Sequence, residues 1–135
     1  MWESRFFVFT GGDFTVYRID FYRDENGVSE LQEFIDFLWD ASPRSKDAHI
    51  QYEQIALQIK LLCEKGTNLP SKYTKHIDEN IWELRPGKNR ILYFCWLDDT
   101  FVLLHYFQKK TEKTPVKEIE RAKRERDEYI RRHKQ

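Results

Sequence analysis

The segment that decides the fold reads IWELRPGKNRILYFCWLDDTFVLLHYF, at residues 81–107. Its aromatic and branched residues fall in three short runs, a pattern typical of strands separated by turns. We predict these strands at Ile81–Arg85, Arg90–Trp96 and Phe101–Phe107. Pro86-Gly87 is the pair that a type II turn prefers at its centre, and Asp98-Asp99 is a possible two-residue hairpin loop. The segment therefore predicts an antiparallel meander.

These two turns also predict which residues face each other. A four-residue turn after Arg85 places Arg85 opposite Arg90, and Glu83 opposite Leu92. A two-residue loop at Asp98-Asp99 then places His105 opposite Leu92. One face of the sheet is predicted to carry Glu83, Arg85, Arg90, His105, Leu92, Phe94, Leu103 and Phe107. The other face, which we expect helices to cover, is predicted to carry Trp82, Leu84, Ile91, Tyr93, Val102, Leu104 and Tyr106.

Further elements extend on both sides of the meander. Upstream, the residue patterns predict a strand at Phe14–Tyr22, a helix from the capping pair Ser29 and Gln32 to Ser42-Pro43, and a second helix over 45–65 that ends at Gly66. Downstream, Thr114 and Pro115 predict the N-cap and first residue of a helix that runs to about Arg132. This order predicts an α+β domain, in which a small antiparallel-meander sheet packs against an N-terminal helical hairpin and is followed by a C-terminal helix.

The chain of 135 residues fits a single domain over 1–135, with residues 1–13 as an uncertain N-terminal extension. The apolar run Phe6–Phe9 in that extension fits either another strand or a poorly ordered tail. No run approaches the ~18 apolar residues of a membrane span, and the start has no basic region before an apolar one, so we expect a cytoplasmic protein. Cys63 and Cys95 are predicted to be reduced core thiols, with a disulfide as the alternative.

The net charge of zero conceals an asymmetry along the chain. Residues 1–64 carry 6 Lys+Arg against 12 Asp+Glu, a net charge of −6, so residues 65–135 carry +6. A basic half can attract a polyanion or an acidic partner, whereas a mixed solvated surface is the simpler interpretation.

Candidate functional residues cluster around the first turn of the meander. Two arginines that face each other across strands repel, so Arg85 and Arg90 need an anion between them. Glu83 can supply one charge, and a phosphate matches the guanidinium forks. The alternative is that both arginines point into water beside the turn.

Other candidates lie nearby in the predicted sheet. His105 lies in an apolar strand, which is typical of a core histidine, but its titration range also suits proton transfer. The tract Lys109, Lys110 and Lys113 follows the last strand, where lysines can bind a phosphate backbone or can simply be solvated. Lys72, Lys75 and His76, in the loop before the meander, could line the same groove. No metal-ligand spacing or glycine-rich phosphate loop is present, so we expect neither a metal nor another cofactor.

Several motifs together resemble one family. The stretches IWELR at 81–85, NRILYF at 89–94, LLHYFQKKT at 103–111, Thr114-Pro115 and the Glu118-Ile119 and Ala122 positions are similar to those of the phage-derived HigB-like branch of RelE/ParE toxins. The resemblance covers residues 14–130 in element order and 77–125 in motif detail. Tyr106 is a departure, because the family usually has a small residue there, and the segment before Phe14 is also unusual.

The resemblance implies a toxin of a bacterial type II toxin–antitoxin system. Such toxins have the RelE-like fold and cleave messenger RNA, often on the ribosome, by metal-independent attack of the RNA 2′-hydroxyl on phosphate. A HigA-like helix-turn-helix antitoxin inactivates the toxin, and operator DNA is bound only through that antitoxin.

The family's motif arginines match Arg85 and Arg90, and its basic tract after the last strand matches Lys109 and Lys110. We assign Arg85 and Arg90 to phosphate binding, Lys109 and Lys110 to backbone binding or charge stabilisation, and His105 or Glu83 to proton transfer. A ParE-like gyrase inhibitor and a non-catalytic RNA- or protein-binding module remain as alternatives, because the fold alone does not decide between them.

Overall fold

The computed structural model describes residues 17–134 and has the predicted α+β class. It contains five strands and three longer helices. The strands are β1 (Arg18–Phe21), β2 (Thr74–Asp78), β3 (Ile81–Leu84), β4 (Asn89–Trp96) and β5 (Thr100–Gln108). The helices are α1 (Glu30–Ala41), α2 (Lys46–Lys65) and α3 (Val116–His133), with a short 3₁₀ turn at Gly66–Asn68. Within 17–134, no helix is both long and apolar enough to cross a membrane. The apolar run Phe6–Phe9 and the rest of the extension lie outside the described residues.

The sheet is mixed, whereas a purely antiparallel meander was expected. Its strand order is β1-β5-β4-β3-β2, in which β2 to β5 form an antiparallel meander and β1 pairs in parallel with β5. The sequence pattern missed β2 because its side chains are mostly polar and exposed, as is common in edge strands. Lys75 and His76 therefore lie on a strand, while Lys72 lies in the turn before it.

The two N-terminal helices form the predicted hairpin on one face of the sheet. Ser29 caps α1 by accepting a hydrogen bond from the Gln32 amide, and Ser45 caps α2 in the same way from Ala48. Gly66 ends α2 with a positive φ of 61°, a conformation that suits glycine. The hairpin and sheet share one apolar core, whose largest fully buried members include Leu31, Ile35, Ile55, Ile59, Leu62, Leu84, Ile91 and Tyr93.

The opposite face of the sheet, for which no covering helix was predicted, packs against α3. A second core joins Leu92, Phe94 and Val102 of the sheet to Ala122 and Tyr129 of this helix. Helix α3 begins at Val116 and has Pro115 at its N-cap position, so the prediction of Thr114 as N-cap was wrong. The reason is that the Thr114 hydroxyl donates a hydrogen bond to Glu83 Oε2 at 2.6 Å instead of capping the helix.

The register of the meander is correct at the turn end and shifted at the loop end. Glu83 faces Leu92, Leu92 faces His105 and Arg90 faces Phe107, as predicted. Trp96, however, pairs with Thr100, so the loop has three residues and not the predicted two. This longer loop shifts the pairing of β4 with β5 by one residue. A bulge between Leu92 and Tyr93 shifts it back by one, because a bulge adds one residue to one strand, and the predicted pairs return beyond it.

The bulge has consequences for the strand residues before it in β5. Leu103 packs in the core beneath the hairpin, whereas Val102 and Leu104 pack against α3, the reverse of the prediction. Both cysteines are free thiols, but only Cys63 is in the core. Cys95 is exposed, one residue before the last pair of β4, so its assignment to the core was wrong.

Candidate functional site

The turn between β3 and β4 is held by a row of glutamines on α2. The side-chain amide of Gln58 makes two hydrogen bonds with the Arg85 backbone. Its Nε2 donates to the Arg85 carbonyl at 3.0 Å, and its Oε1 accepts from the Arg85 N–H at 3.1 Å. Gln51 Oε1 accepts from Asn89 Nδ2 at 3.0 Å. A Cβ at Gly87 would lie 2.2 Å from Oε1 of Gln54, so a larger residue there would require the end of this side chain to move. The helix thus fixes the backbone that carries both arginines.

The turn itself is displaced by one residue from the predicted type II turn. The Asn89 N–H donates to Pro86 O at 3.0 Å, which puts Gly87 at the first central position with a φ of 60°. A positive φ at the first central position with none at the second, Lys88, defines a type II′ turn. The β3–β4 ladder ends at Leu84 and Ile91, so Arg85 lies just beyond the strand that was expected to contain it.

Glu83 is the anion between the two arginines. Its Oε1 accepts a hydrogen bond from Arg85 Nε at 3.2 Å and lies 3.9 Å from Arg90 Nε. The Glu83 side chain is only 3% exposed, and Thr114 occupies its other oxygen. The expected repulsion between the arginines is therefore offset inside the protein. Removing either guanidinium would weaken the pairing of a buried carboxylate and so destabilise the fold.

Arg90 is more constrained than Arg85. Its Nη1 donates to the carbonyls of Gly87 at 2.7 Å and Asn89 at 2.8 Å, and its side chain is 12% exposed. Burial lowers the pKa of the Arg90 guanidinium, Glu83 opposes this effect, and Arg85 adds to it. The guanidinium remains charged at neutral pH because the ordinary arginine pKa is so high. Arg85 is the more accessible cation, at 26% exposure.

The connector between β5 and α3 closes over this pair. A small cleft of about 10 Å³ is lined by Glu83, Arg90, Phe107 and the whole run from Lys109 to Pro115. This volume is that of about one water molecule, so a phosphate would lie at the mouth of the cleft and not inside it. Lys109 pairs with Glu112 at 3.5 Å, and Lys109, Lys110 and Lys113 are all exposed around the mouth.

The lysines before β3 border the same region from the sheet edge. Lys75 pairs with Glu83 across β2 and β3, so the two residues lie on one face. Lys72 belongs to the turn that Arg85 contacts twice, through Tyr73 O at 2.9 Å and Ser71 O at 3.5 Å. His76 pairs with Trp82 and therefore lies on the other face, so its expected place in the groove was wrong.

His105 lies apart from this cluster and is completely buried. Its Nδ1 lies 2.6 Å from Glu125 Oε1, and its Nε2 lies 3.0 Å from Glu118 Oε1. A neutral imidazole carries one N–H and could donate to only one of these carboxylates. The geometry therefore calls for a doubly protonated ring or for a proton on one carboxyl group. Both partners belong to α3, so His105 joins this helix to the sheet and does not reach solvent.

The structure thus gathers Glu83, the two arginines and the connector lysines at one end of the sheet and places His105 beneath α3. The sequence reasoning missed Gln51, Gln58 and Thr114, whose hydrogen bonds hold this arrangement together, and Gln54, which lies against Gly87. The glutamines recur at spacings of three and four residues, which places them on one side of a helix, and this signal could have revealed them.

The described residues define a small α+β protein with one cluster of basic side chains at an end of a mixed sheet. The family model for "Phage derived protein Gp49-like (DUF891)" matches residues 44–127, and the chain belongs to this family. The family is associated with type II toxin–antitoxin toxins of the RelE/HigB type and with toxin ribonuclease activity. No curated protein matches the chain. The matched part includes every candidate site residue and leaves out β1 and α1.

Proposed function

We propose that this protein is the toxin of a type II toxin–antitoxin pair and cleaves messenger RNA, with the ribosome as the place of action. The observation that carries the proposal is the basic cluster at the turn end of the sheet, in a member of a toxin-associated family. Arg90, Lys109, Lys110 and Lys113 line one cleft, and the more exposed Arg85 shares the Glu83 carboxylate with Arg90. Such a surface suits the phosphate backbone of a nucleic acid.

In the proposed reaction the RNA supplies its own nucleophile. The 2′-hydroxyl gives up its proton to water and attacks the adjacent phosphorus, which forms the cyclic 2′,3′-phosphate, while the bond to the 5′-oxygen breaks and that oxygen takes up a proton from water. The protein must hold the hydroxyl in line and stabilise the added negative charge. Since the nucleophile belongs to the substrate, no metal ion is needed to generate it, and cleavage is expected to persist in EDTA with ribosomes kept intact by added spermidine.

Each residue of the cluster has a proposed role. Arg85 and Arg90 bind the reacting phosphate, Lys109 stabilises the developing charge, and Lys110, Lys113, Lys75 and Lys72 bind the flanking backbone. Glu83 holds the two guanidinium groups in place and is a positioning residue. His105 is assigned to the attachment of α3, because an imidazole enclosed by two carboxylates cannot reach the RNA.

The proposed partner is a small helix-turn-helix antitoxin of the HigA type, through which alone the complex binds operator DNA. Expression of the chain without this partner is expected to arrest growth. Normal growth of cells that contain the soluble, folded chain would contradict the toxin assignment.

The decisive experiment incubates purified protein with translating ribosomes and maps the 5′ ends of the messenger RNA. Arg85→Ala and Arg90→Ala are expected to lower cleavage by roughly 10²–10³-fold per folded molecule, the loss typical of one preorganised charge stabiliser. Lysine at either position should rescue cleavage only in part, because it lacks the bidentate fork. Arg124→Ala, at an exposed arginine on α3, is the control and should cleave normally.

The same preparation separates the alternative functions. Inhibition of DNA supercoiling by gyrase, without RNA cuts, would indicate a ParE-like toxin. Binding to RNA or protein without either activity would indicate a non-catalytic module. Defined cuts that are unaffected by both arginine variants would refute the proposed site while leaving a ribonuclease.

A further inference from the structure

The helical hairpin exposes several large apolar side chains, of which Trp39 lines an open cleft. Phe37 is 63% and Trp39 is 47% exposed on α1, and Ile50 on α2 is 45% exposed. Trp39 also lines a cleft of about 640 Å³ together with Asp40, Ser42, Pro43 and His49. Exposed aromatic residues that border a cleft are typical of protein–protein contact sites, where tryptophan is a frequent energetic centre.

The charge of α1 indicates the kind of partner. This helix carries four acidic residues, Glu30, Glu33, Asp36 and Asp40, and its sequence contains no Lys or Arg. Such a surface repels RNA and attracts a basic polypeptide. It is therefore opposite in sign to the cluster around Arg85 and serves a different ligand.

The cleft and the β3–β4 turn both contact the first turns of α2, because His49 lines the cleft and Gln51 contacts the turn. The Trp39 ring is 5.0 Å from the ring of Tyr52, and the neighbouring residue Gln51 hydrogen-bonds Asn89 in that turn. A polypeptide seated against Trp39 would consequently stand next to the proposed RNA site. It could block the approach of a ribosome without touching either arginine.

We propose that the hairpin cleft receives a basic, amphipathic segment of the antitoxin. An apolar side chain of this segment packs on Trp39, and its Lys or Arg residues face Asp40 and Glu33. This inference rests on the proposed toxin function, since it assigns the surface to the toxin's inhibitor. Helix α1 precedes residues 44–127, so the greater part of the surface lies outside the match to the family.

The test compares two matched double variants. Trp39→Ala/Asp40→Lys changes one exposed apolar and one acidic residue at the cleft, and Leu97→Ala/Asp99→Lys makes the same changes in the β4–β5 loop at the other end of the sheet. Each is titrated calorimetrically with the purified helix-turn-helix protein encoded by the neighbouring gene. The same protein is co-expressed with each variant to score the relief of growth arrest.

We expect the cleft variant to bind about 30-fold more weakly or worse, the scale of losing one energetic centre, and to arrest growth despite co-expression. The loop variant should bind and be neutralised as the unmodified protein is. The inference would be overturned if both variants bind with the same affinity as the unmodified chain, or if both lose affinity equally. It would also be overturned if the neighbouring protein does not bind the unmodified chain.

Two controls keep the outcomes distinct. If circular dichroism shows that the cleft variant is unfolded, Glu33→Lys/Asp40→Lys replaces it, because both of these side chains are exposed. Normal growth with the unmodified chain alone would count against the toxin function, whereas the calorimetric comparison would still decide the docking surface.

Discussion

Replacing His105 by alanine should damage the fold and not the chemistry. The imidazole lies within 2.6 Å and 3.0 Å of two carboxylates whose side chains are only 9% and 17% exposed. Removing the hydrogen-bond partner of a buried polar group costs about 1–3 kcal/mol, and more when that group is charged. The imidazole has two such partners, and Glu125 keeps Arg121 at 2.9 Å, so a total loss of about 3 kcal/mol applies. For a chain of this length, that loss corresponds to a decrease in melting temperature of about 12 °C.

The assay is thermal unfolding followed by circular dichroism, together with cleavage measured per folded molecule. His49→Ala is the matched control, since this histidine is 56% exposed and its removal should change stability by less than about 0.5 kcal/mol. A double-mutant cycle of His105→Ala with Glu125→Gln should give a coupling energy of about 1–3 kcal/mol. A His105→Ala protein that melts within 2 °C, roughly 0.5 kcal/mol, of the unmodified one but cleaves 100-fold more slowly, on the order of a general acid–base loss, would refute the reasoning.

Three further predictions concern the site and the attachment of α3. Glu83→Gln should lower the free energy of unfolding by about 1–3 kcal/mol and strengthen RNA binding, since it removes a buried negative charge among cations. Loss of cleavage with an unchanged melting temperature would instead identify Glu83 as a proton acceptor. Gln58→Ala should reduce kcat more than it raises KM, because it frees the Arg85 backbone, and equal stability with unaltered kinetics would exclude a positioning role. Hydrogen bonds from basic side chains of α3 lower the pKa values of Asp78 and Glu79 below 3.8 and 4.5. The stability they contribute should therefore be complete at neutral pH and be lost as the pH falls below about 4.5, and Asp78→Asn/Glu79→Gln should flatten this loss in melting curves recorded from pH 7 to pH 3.

The sequence predicted the turn end of the meander because side-chain alternation is strong there. The pairs Glu83–Leu92 and Leu92–His105 depend only on the alternation of apolar residues and on the length of each connection. The longer loop before Thr100 and the bulge at Leu92 shift the pairing of β4 with β5 in opposite directions. The predicted pairs at the site are therefore correct, although neither the loop length nor the bulge was predicted. A bulge leaves no clear mark in an apolar strand, because every neighbouring side chain is suitable for a core.

Other parts of the site depend on contacts between distant segments. The apolar run around His105 indicated burial, but it could not show that Glu118 and Glu125, two helical turns apart on α3, would enclose the ring. Thr114 had the right residue type for an N-cap, and only the tertiary structure shows that Glu83 takes its hydroxyl. Local patterns predict which residues are buried, whereas the partners of buried polar groups are set by the whole fold.

The parallel pairing of β1 with β5 has a consequence for synthesis of the protein. Ile19 pairs with Phe101, which is 82 residues further along the chain. Strand β1 can therefore pair with β5 only after most of the chain has been synthesised. Tyr129 also donates a hydrogen bond to Asp20 at 2.7 Å, which ties the start of the sheet to the end of the last helix. Contacts of this range form late, because loop closure must precede them. A nascent chain therefore cannot complete its native sheet until translation is nearly finished, so the proposed activity cannot begin before that point.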